Sequence, residues 1–176
     1  AYRKFAPTQP SVPTTPVVSH DYRSEICAVA QSQIGYVEEN DWTQFGQWYQ
    51  DTFNAPGFAY GEWCDMFVSW CARQVGVSED VFKSCAYVPS HVQWFADKGW
   101  LKEAYGAYAP QPGDLVFFNW SCAQTYNCDH VGMVIDFDGT NITTVEGNTG
   151  SGTPCVMVKN YSYTDDYIIW YGSPGY

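Results

Sequence analysis

Over residues 64–75, apolar residues fall at positions 64, 67, 68, 71, 72 and 75. That is the three-four spacing of a helix with one buried stripe. Gly76 follows, where a left-handed residue closes a helix at least cost. Upstream, residues 25–34 predict a helix that Gly35 ends, with Asp21 and Ser24 as cap candidates. Asp41 reads as the cap of a short helix through Phe45, Trp48 and Tyr49. Ser78-Glu79-Asp80 predicts a brief turn of helix, and Pro89-Ser90 opens another that runs from His91 to Lys98 and closes at Gly99. The pattern then changes. Residues 114–118, 131–135, 141–145, 156–158 and 168–171 are β-rich runs parted by turn residues. Helices first and strands second predict an α+β domain rather than alternating βαβ units.

Length and charge narrow the classes. A chain of 176 residues can bury one full core. Its start, with Pro-Thr-Gln-Pro-Ser-Val-Pro-Thr-Thr-Pro over residues 7–16, suits neither helix nor central strand. Residues 1–20 therefore read as a linker or tail, and 21–176 as the folded domain, a module cut from, or tethered to, something larger. Ala1 opens without a signal peptide, so the chain is expected to be intracellular or already processed. Lys and Arg number 8 against 19 Asp and Glu, a net charge of -11. This argues against nucleic acid as a partner and against an electrostatic hold on anionic membranes. No apolar run reaches the length of a membrane span.

The cysteines add a compartment. Seven is odd, and in an exported chain an odd count leaves one thiol unpaired. The expectation is pairing among Cys27, Cys71, Cys85, Cys122, Cys128 and Cys155, with Cys122–Cys128 closing a small loop. Together with the Pro/Thr-rich start, this predicts a secreted protein with Cys64 free.

Cys64 heads its helix, where unpaired N–H groups and the positive dipole end favour a thiolate. From the helix alone a buried core cysteine explains the position as well. A nucleophile needs a base and a group to orient it. Of three histidines, His20 lies against the linker, and capping or solvation accounts for His91 on a surface helix. His130 opens a strand that would hold it rigidly. Asp138-Gly139 turns the chain back through Glu146 and Asn148. They share a face with His130 only if paired positions sum to an even number, as when Gly132 opposes Glu146. Either Glu146 accepts the Nδ1–H of His130, or Asn148 does as its neutral equivalent. Aromatics make up 18% of the chain, mostly as core, and Trp42, Tyr60, Trp63 and Trp120 are candidates to line a groove for sugar or peptide.

Trp63-Cys64-x-x-Phe67-Val68, Gly113-Asp114-Leu115-Val116-Phe117-Phe118, His130-Val131-Gly132-Met133-Val134 and Val145-Glu146-Gly147-Asn148 together resemble the CHAP family, the cysteine, histidine-dependent amidohydrolases and peptidases. The resemblance covers about residues 25–148 and rests on four elements in order. It implies a papain-like fold with N-terminal helices packed on a C-terminal antiparallel sheet, no cofactor or metal, and bacterial peptidoglycan as substrate outside the cell or at its wall. It also implies Cys64 as nucleophile, His130 as base, Glu146 as orienter and Asn148 as polar contributor. The bond is then an N-acetylmuramoyl-L-alanine amide or one in a stem or cross-bridge, with residues 36–62 and 103–128 setting the choice. Asp65 departs from the family, where a small or apolar residue is common; a carboxylate there opposes a thiolate unless it points away.

A different class is a non-catalytic wall- or glycan-binding module in which Cys64 is simply unpaired. Iodoacetamide separates the two, since fast labelling of Cys64 with loss of turnover marks an enzyme. Zinc at Cys122, Cys128 and His130 has spacings that match no usual ligand set. Calcium among Glu38, Glu39, Asn40 and Asp41 lacks an ordered ligand loop.

Overall fold

A computed structural model describes residues 19–121 and 127–176; residues 1–18 of the linker expected over 1–20, and Cys122, lie outside them. Asp21 caps α1 (Tyr22–Ser32), its carboxylate accepting from the Ser24 N–H. Helix α2 (Gln44–Phe53) is capped by Thr43 rather than Asp41: the Thr43 hydroxyl accepts from the Gly46 N–H at 3.0 Å, while Asp41 sits in a turn at φ 65°. A 3-10 turn (Phe58–Tyr60) leads into α3 (Cys64–Gln74), and Gly76 at φ 77° takes the left-handed position beyond it. The turn expected at Ser78 forms as a single one, the Ser78 carbonyl accepting from the Val81 and Phe82 N–H groups, and no helix extends from it. Within it Glu79 folds forward to accept from the Ser84 N–H and hydroxyl. Helix α4 (Val88–Asp97) carries Pro89 in its first turn, where a missing N–H costs nothing.

The described strands are β1 (Leu101–Glu103), β2 (Leu115–Phe118), β3 (His130–Phe137), β4 (Asn141–Thr149), β5 (Cys155–Ser162) and β6 (Ile168–Gly172). They form one antiparallel sheet in the order β1-β6-β2-β3-β4-β5. β1 had no sequence signal, because three residues are too few to show alternation; pairing with β6 makes it a strand. The stripe of α3 (Phe67, Val68, Cys71, Ala72) shares one core with Met133 and Val145 of the sheet. A smaller cluster of Val116, Phe118, Val134, Ile142, Ile168 and Tyr171 covers the other face. β2 is buried on both faces, hence its unbroken apolar run. Arg23 of α1 reaches the fully buried Asp114 at 2.8 Å, and the Tyr108 hydroxyl and Gln111 N–H complete that carboxylate's partners, tying helices to sheet. The architecture is α+β and papain-like.

The pairing of β3 with β4 decides which side chains can meet. Near the turn the partners are Phe137↔Ile142 and Asp136↔Thr143, with odd sums. A bulge at Ile135 resets them to Val134↔Thr144 and Met133↔Val145, with even sums. Without that extra residue every side chain beyond it would lie on the opposite face. Gly132 therefore lies across from Glu146, so close that an added Cβ would stand 2.7 Å from Glu146 Cγ.

The expected disulfides are not formed among the described residues, where Cys27, Cys71, Cys85, Cys128 and Cys155 are free thiols, as is Cys64. All but the half-buried Cys155 are buried. Cys71 is fully enclosed on the α3 stripe, Cys27 donates to the Val134 carbonyl and Cys155 to the Thr149 carbonyl. Desolvation pushes Cys27 up to about 11 and Cys128 up to about 12, so both are inert thiols that act as small hydrophobes.

Candidate active site

Cys64 is the first residue of α3 and only 5% exposed. Trp63, at the N-cap, supplies no side-chain hydrogen bond to the N–H groups of the first turn. His130 is the first residue of β3, its ring and the Cys64 side chain line one cleft, and the nearby Cys64 raises the ring's pKa. On its other side, His130 Nε2 lies 2.8 Å from Glu146 Oε2. A carboxylate acceptor makes Nε2 the protonated nitrogen and leaves Nδ1 for the sulfur. This corrects the expected Nδ1–H···Glu146 contact. Nε2 is the nitrogen farther from the backbone, and it is the one that spans the gap to the neighbouring strand.

Glu146 is fully buried, and its Oε1 accepts from the Thr144 hydroxyl at 2.6 Å. Burial first, then the neighbouring Glu146 charge, push the Tyr161 hydroxyl far above its ordinary range and keep it protonated. Sequence reasoning missed both residues. Thr144 stands two positions before Glu146 on the same strand face, a spacing that offers a signal. Tyr161 arrives from β5 and offers none.

Burial alone would pull His130 down, but the hydrogen bonds and charges of Cys64 and Glu146 outweigh it and raise the ring from 6.5 to about 10. The ring is an imidazolium at neutral pH. A folded value above the unfolded one stabilises the fold in full below about pH 6.5, and that contribution fades as pH rises through about 10. The urea midpoint of the wild type is accordingly expected to fall more steeply across this window than that of His130→Gln; parallel curves would refute the coupling.

Asn148 is not on the ring. A bulge between Glu146 and Thr149 puts it in the left-handed region at φ 56°, and its Nδ2 donates to Glu62. Asp65 points away from the sulfur, its Oδ1 2.7 Å from His91 Nδ1. That corrects the solvated reading of His91, which is fully buried with its ring against Phe82, Trp94, Phe95 and Phe117. His20 is exposed beside Glu25.

Cys64 and His130 open on a cleft of about 740 Å³ that Glu62, Trp120, Asn148 and Tyr161 also line. A second arm of about 530 Å³ runs from Cys64 past Tyr87 and Cys128, and a third of about 340 Å³ passes Glu38, Asp41 and Tyr60. Glu62 borders all three. Trp120 stacks on Phe118 at 4.8 Å, its ring centre 5.9 Å from that of His130. Tyr60 lines the third arm. Trp63 does not line the cleft: it is fully buried, stacked on Phe45, with its Nε1–H on Glu38. Its place is fixed by Gly147, where an added Cβ would meet Trp63 Cζ3 at 2.6 Å. Trp42 lies off these arms, its Nε1–H held by Gln47.

A search of curated protein sequences finds no match. Among solved structures the chain is similar to Ly7917, with TM-score 0.51 and 18% identity over 86% of this chain and 62% of that one. Ly7917 with the hydrolyzing product of MDP gives 0.48 at 16% identity over the same shares. A protein of Staphylococcus aureus similar to a lipoprotein, of the NLP/P60 family, gives 0.43 at 16% identity over 92% of this chain and 44% of that one. The chain thus spans about 62% of the length of Ly7917. The family model for the CHAP domain matches residues 53–148, more than half of the chain and the stretch that holds Cys64, His130, Glu146 and Asn148. The chain belongs to the CHAP domain family.

Proposed function

We propose that this domain hydrolyses an amide bond of bacterial cell-wall peptidoglycan, with Cys64 as nucleophile, His130 as acid and base, and Glu146 as the group that orients the ring. The observation that carries this reading is the His130–Glu146 pair at 2.8 Å, its ring lining one cleft with Cys64 in a CHAP-family chain. The Cys64 thiolate adds to the amide carbonyl, and first-turn N–H groups of α3 take the oxyanion, each such donor worth ~3–4 kcal/mol. The carbon–nitrogen bond breaks as His130 gives its Nδ1 proton to the leaving amine. Water then attacks the thioester, His130 takes its proton, and the carboxylic acid leaves as the thiolate returns.

The flat face of Trp120 beside His130 suits a sugar ring, which favours the amide next to the glycan, the N-acetylmuramoyl-L-alanine bond, over one in the stem or cross-bridge. With that substrate the domain works at the cell wall. Mass spectrometry of digested walls names the bond. A new amine on L-alanine is the expected product, one on a stem or cross-bridge residue makes the domain an endopeptidase, and walls bound but unchanged make it a binding module.

Gly132→Ala tests the acid's position without touching the cleft. The new Cβ would stand 2.7 Å from Glu146 Cγ and 3.2 Å from its Cδ, so the carboxylate must shift. A displacement of that size is expected to lower kcat by about 10²-fold with the sheet's circular dichroism retained.

A further inference from the structure

We propose that Asp65, Cys85 and His91 form a buried site for a divalent ion of the zinc class, beneath the helix that presents Cys64. The three come from the first turn of α3, the connection after it, and the first half of α4. One donor atom from each lies within 4.8 Å of the others. The residues are 1%, 8% and 0% exposed. A carboxylate, a thiol and an imidazole gathered in this way are a zinc-type ligand set, the fourth position falling to a water. This is not a surface patch of acids.

Two observations set the cluster apart from ordinary core packing. Asp65 Oδ1 meets His91 Nδ1, but Asp65 Oδ2 and His91 Nε2 have no hydrogen-bond partner among the described residues and are closed to solvent. A buried carboxylate oxygen without a donor is costly, and a cation satisfies it. Cys85 is also held in place from behind. Its N–H donates to the Ser69 hydroxyl at 3.0 Å, and its carbonyl accepts from that hydroxyl at 3.2 Å, which pins the ligand to α3. Such outer contacts orient metal ligands.

Binding releases the Cys85 thiol proton to solvent. The ion's two positive charges then balance one thiolate and one carboxylate. The residues after Cys85, Ala86 to Pro89, wall the second arm of the cleft. The site takes no part in amide hydrolysis. It ties the start of α3 to α4, one residue from the nucleophile, and its test does not depend on wall digestion.

The protein for this test carries Cys64→Ala, so that the Cys64–His130 pair cannot serve as the ligand. After zinc loading and dialysis against metal-free buffer, this variant is expected to keep about one zinc per chain and to melt at a temperature that rises with zinc concentration. With cobalt in place of zinc it is expected to show thiolate-to-metal charge-transfer absorption. Adding Cys85→Ser should abolish that absorption, and adding the near-isosteric Asp65→Asn should weaken zinc retention at least tenfold, which keeps the test decisive where Cys85→Ser fails to fold. No retained zinc and no charge-transfer band in Cys64→Ala overturn the proposal. So does a band that survives Cys85→Ser, or retention unchanged by Asp65→Asn.

Discussion

Cys64→Ala is expected to lower kcat/KM for wall digestion by about 10⁴-fold or more, because removing the nucleophile of a covalent mechanism leaves only binding and oxyanion donors behind. Those remnants are real here, since the first-turn N–H groups of α3 and the cleft do not depend on the sulfur. The fold should tolerate the change, which deletes one atom from a pocket that is already open on one side. The His130 ring then loses the contact that raises it most, so its titration should move down from about 10 towards the ordinary histidine range. Release of wall fragments, followed with a far-ultraviolet check of folding, measures the effect. Unimpaired digestion by a folded Cys64→Ala protein would end the thiol mechanism.

Much of the frame was readable because it is written locally. The stripe at 64, 67, 68, 71, 72 and 75 and the glycine after it specify α3 with no help from distant contacts. The demand that β3 and β4 pair in even register followed from alternation alone. The means was not readable: the bulge falls at Ile135, inside a strand, where no glycine or proline marks it. Ring orientation was equally hidden, because either imidazole nitrogen can face an acid and the choice turns on which one reaches the neighbouring strand.

The misses share a cause in long-range packing. Cys71 sits on the α3 stripe, where a thiol packs as well as a methyl, and counting cysteines could not see that burial had already claimed it. His91 was read on a lone helix with a solvated side, but α4 turns it inward against Asp65 of α3. Asn148 belongs with Glu62 because a bulge at its own position swings it off the strand face that carries Glu146. Trp63 falls in the core, because the N-cap of a buried helix points inward and Gly147 is shaped to receive it.

Glu146→Gln is expected to lower kcat by about 10²–10⁴-fold and to pull the alkaline limb of the pH–rate profile towards neutrality. The two effects have one origin. Burial pulls His130 down while Cys64 and Glu146 push it up, and removing one of the two anions lets burial weigh more. The imidazolium then loses its proton at lower pH, so the limb that reports this loss shifts downward rather than upward. The amide cannot restore the geometry either. Glu146 accepts from His130 on one oxygen and from Thr144 on the other, whereas glutamine offers one acceptor oxygen and an NH2 group in place of the second. One of the two bonds becomes donor against donor, and the ring loses the orientation that aims Nδ1 at the sulfur. KM should change little, since Glu146 is fully buried behind the ring and outside the cleft lining. A kcat loss with an unmoved alkaline limb would mean that the acid holds the ring by shape alone, and a rise in KM at constant kcat would remove Glu146 from the chemistry.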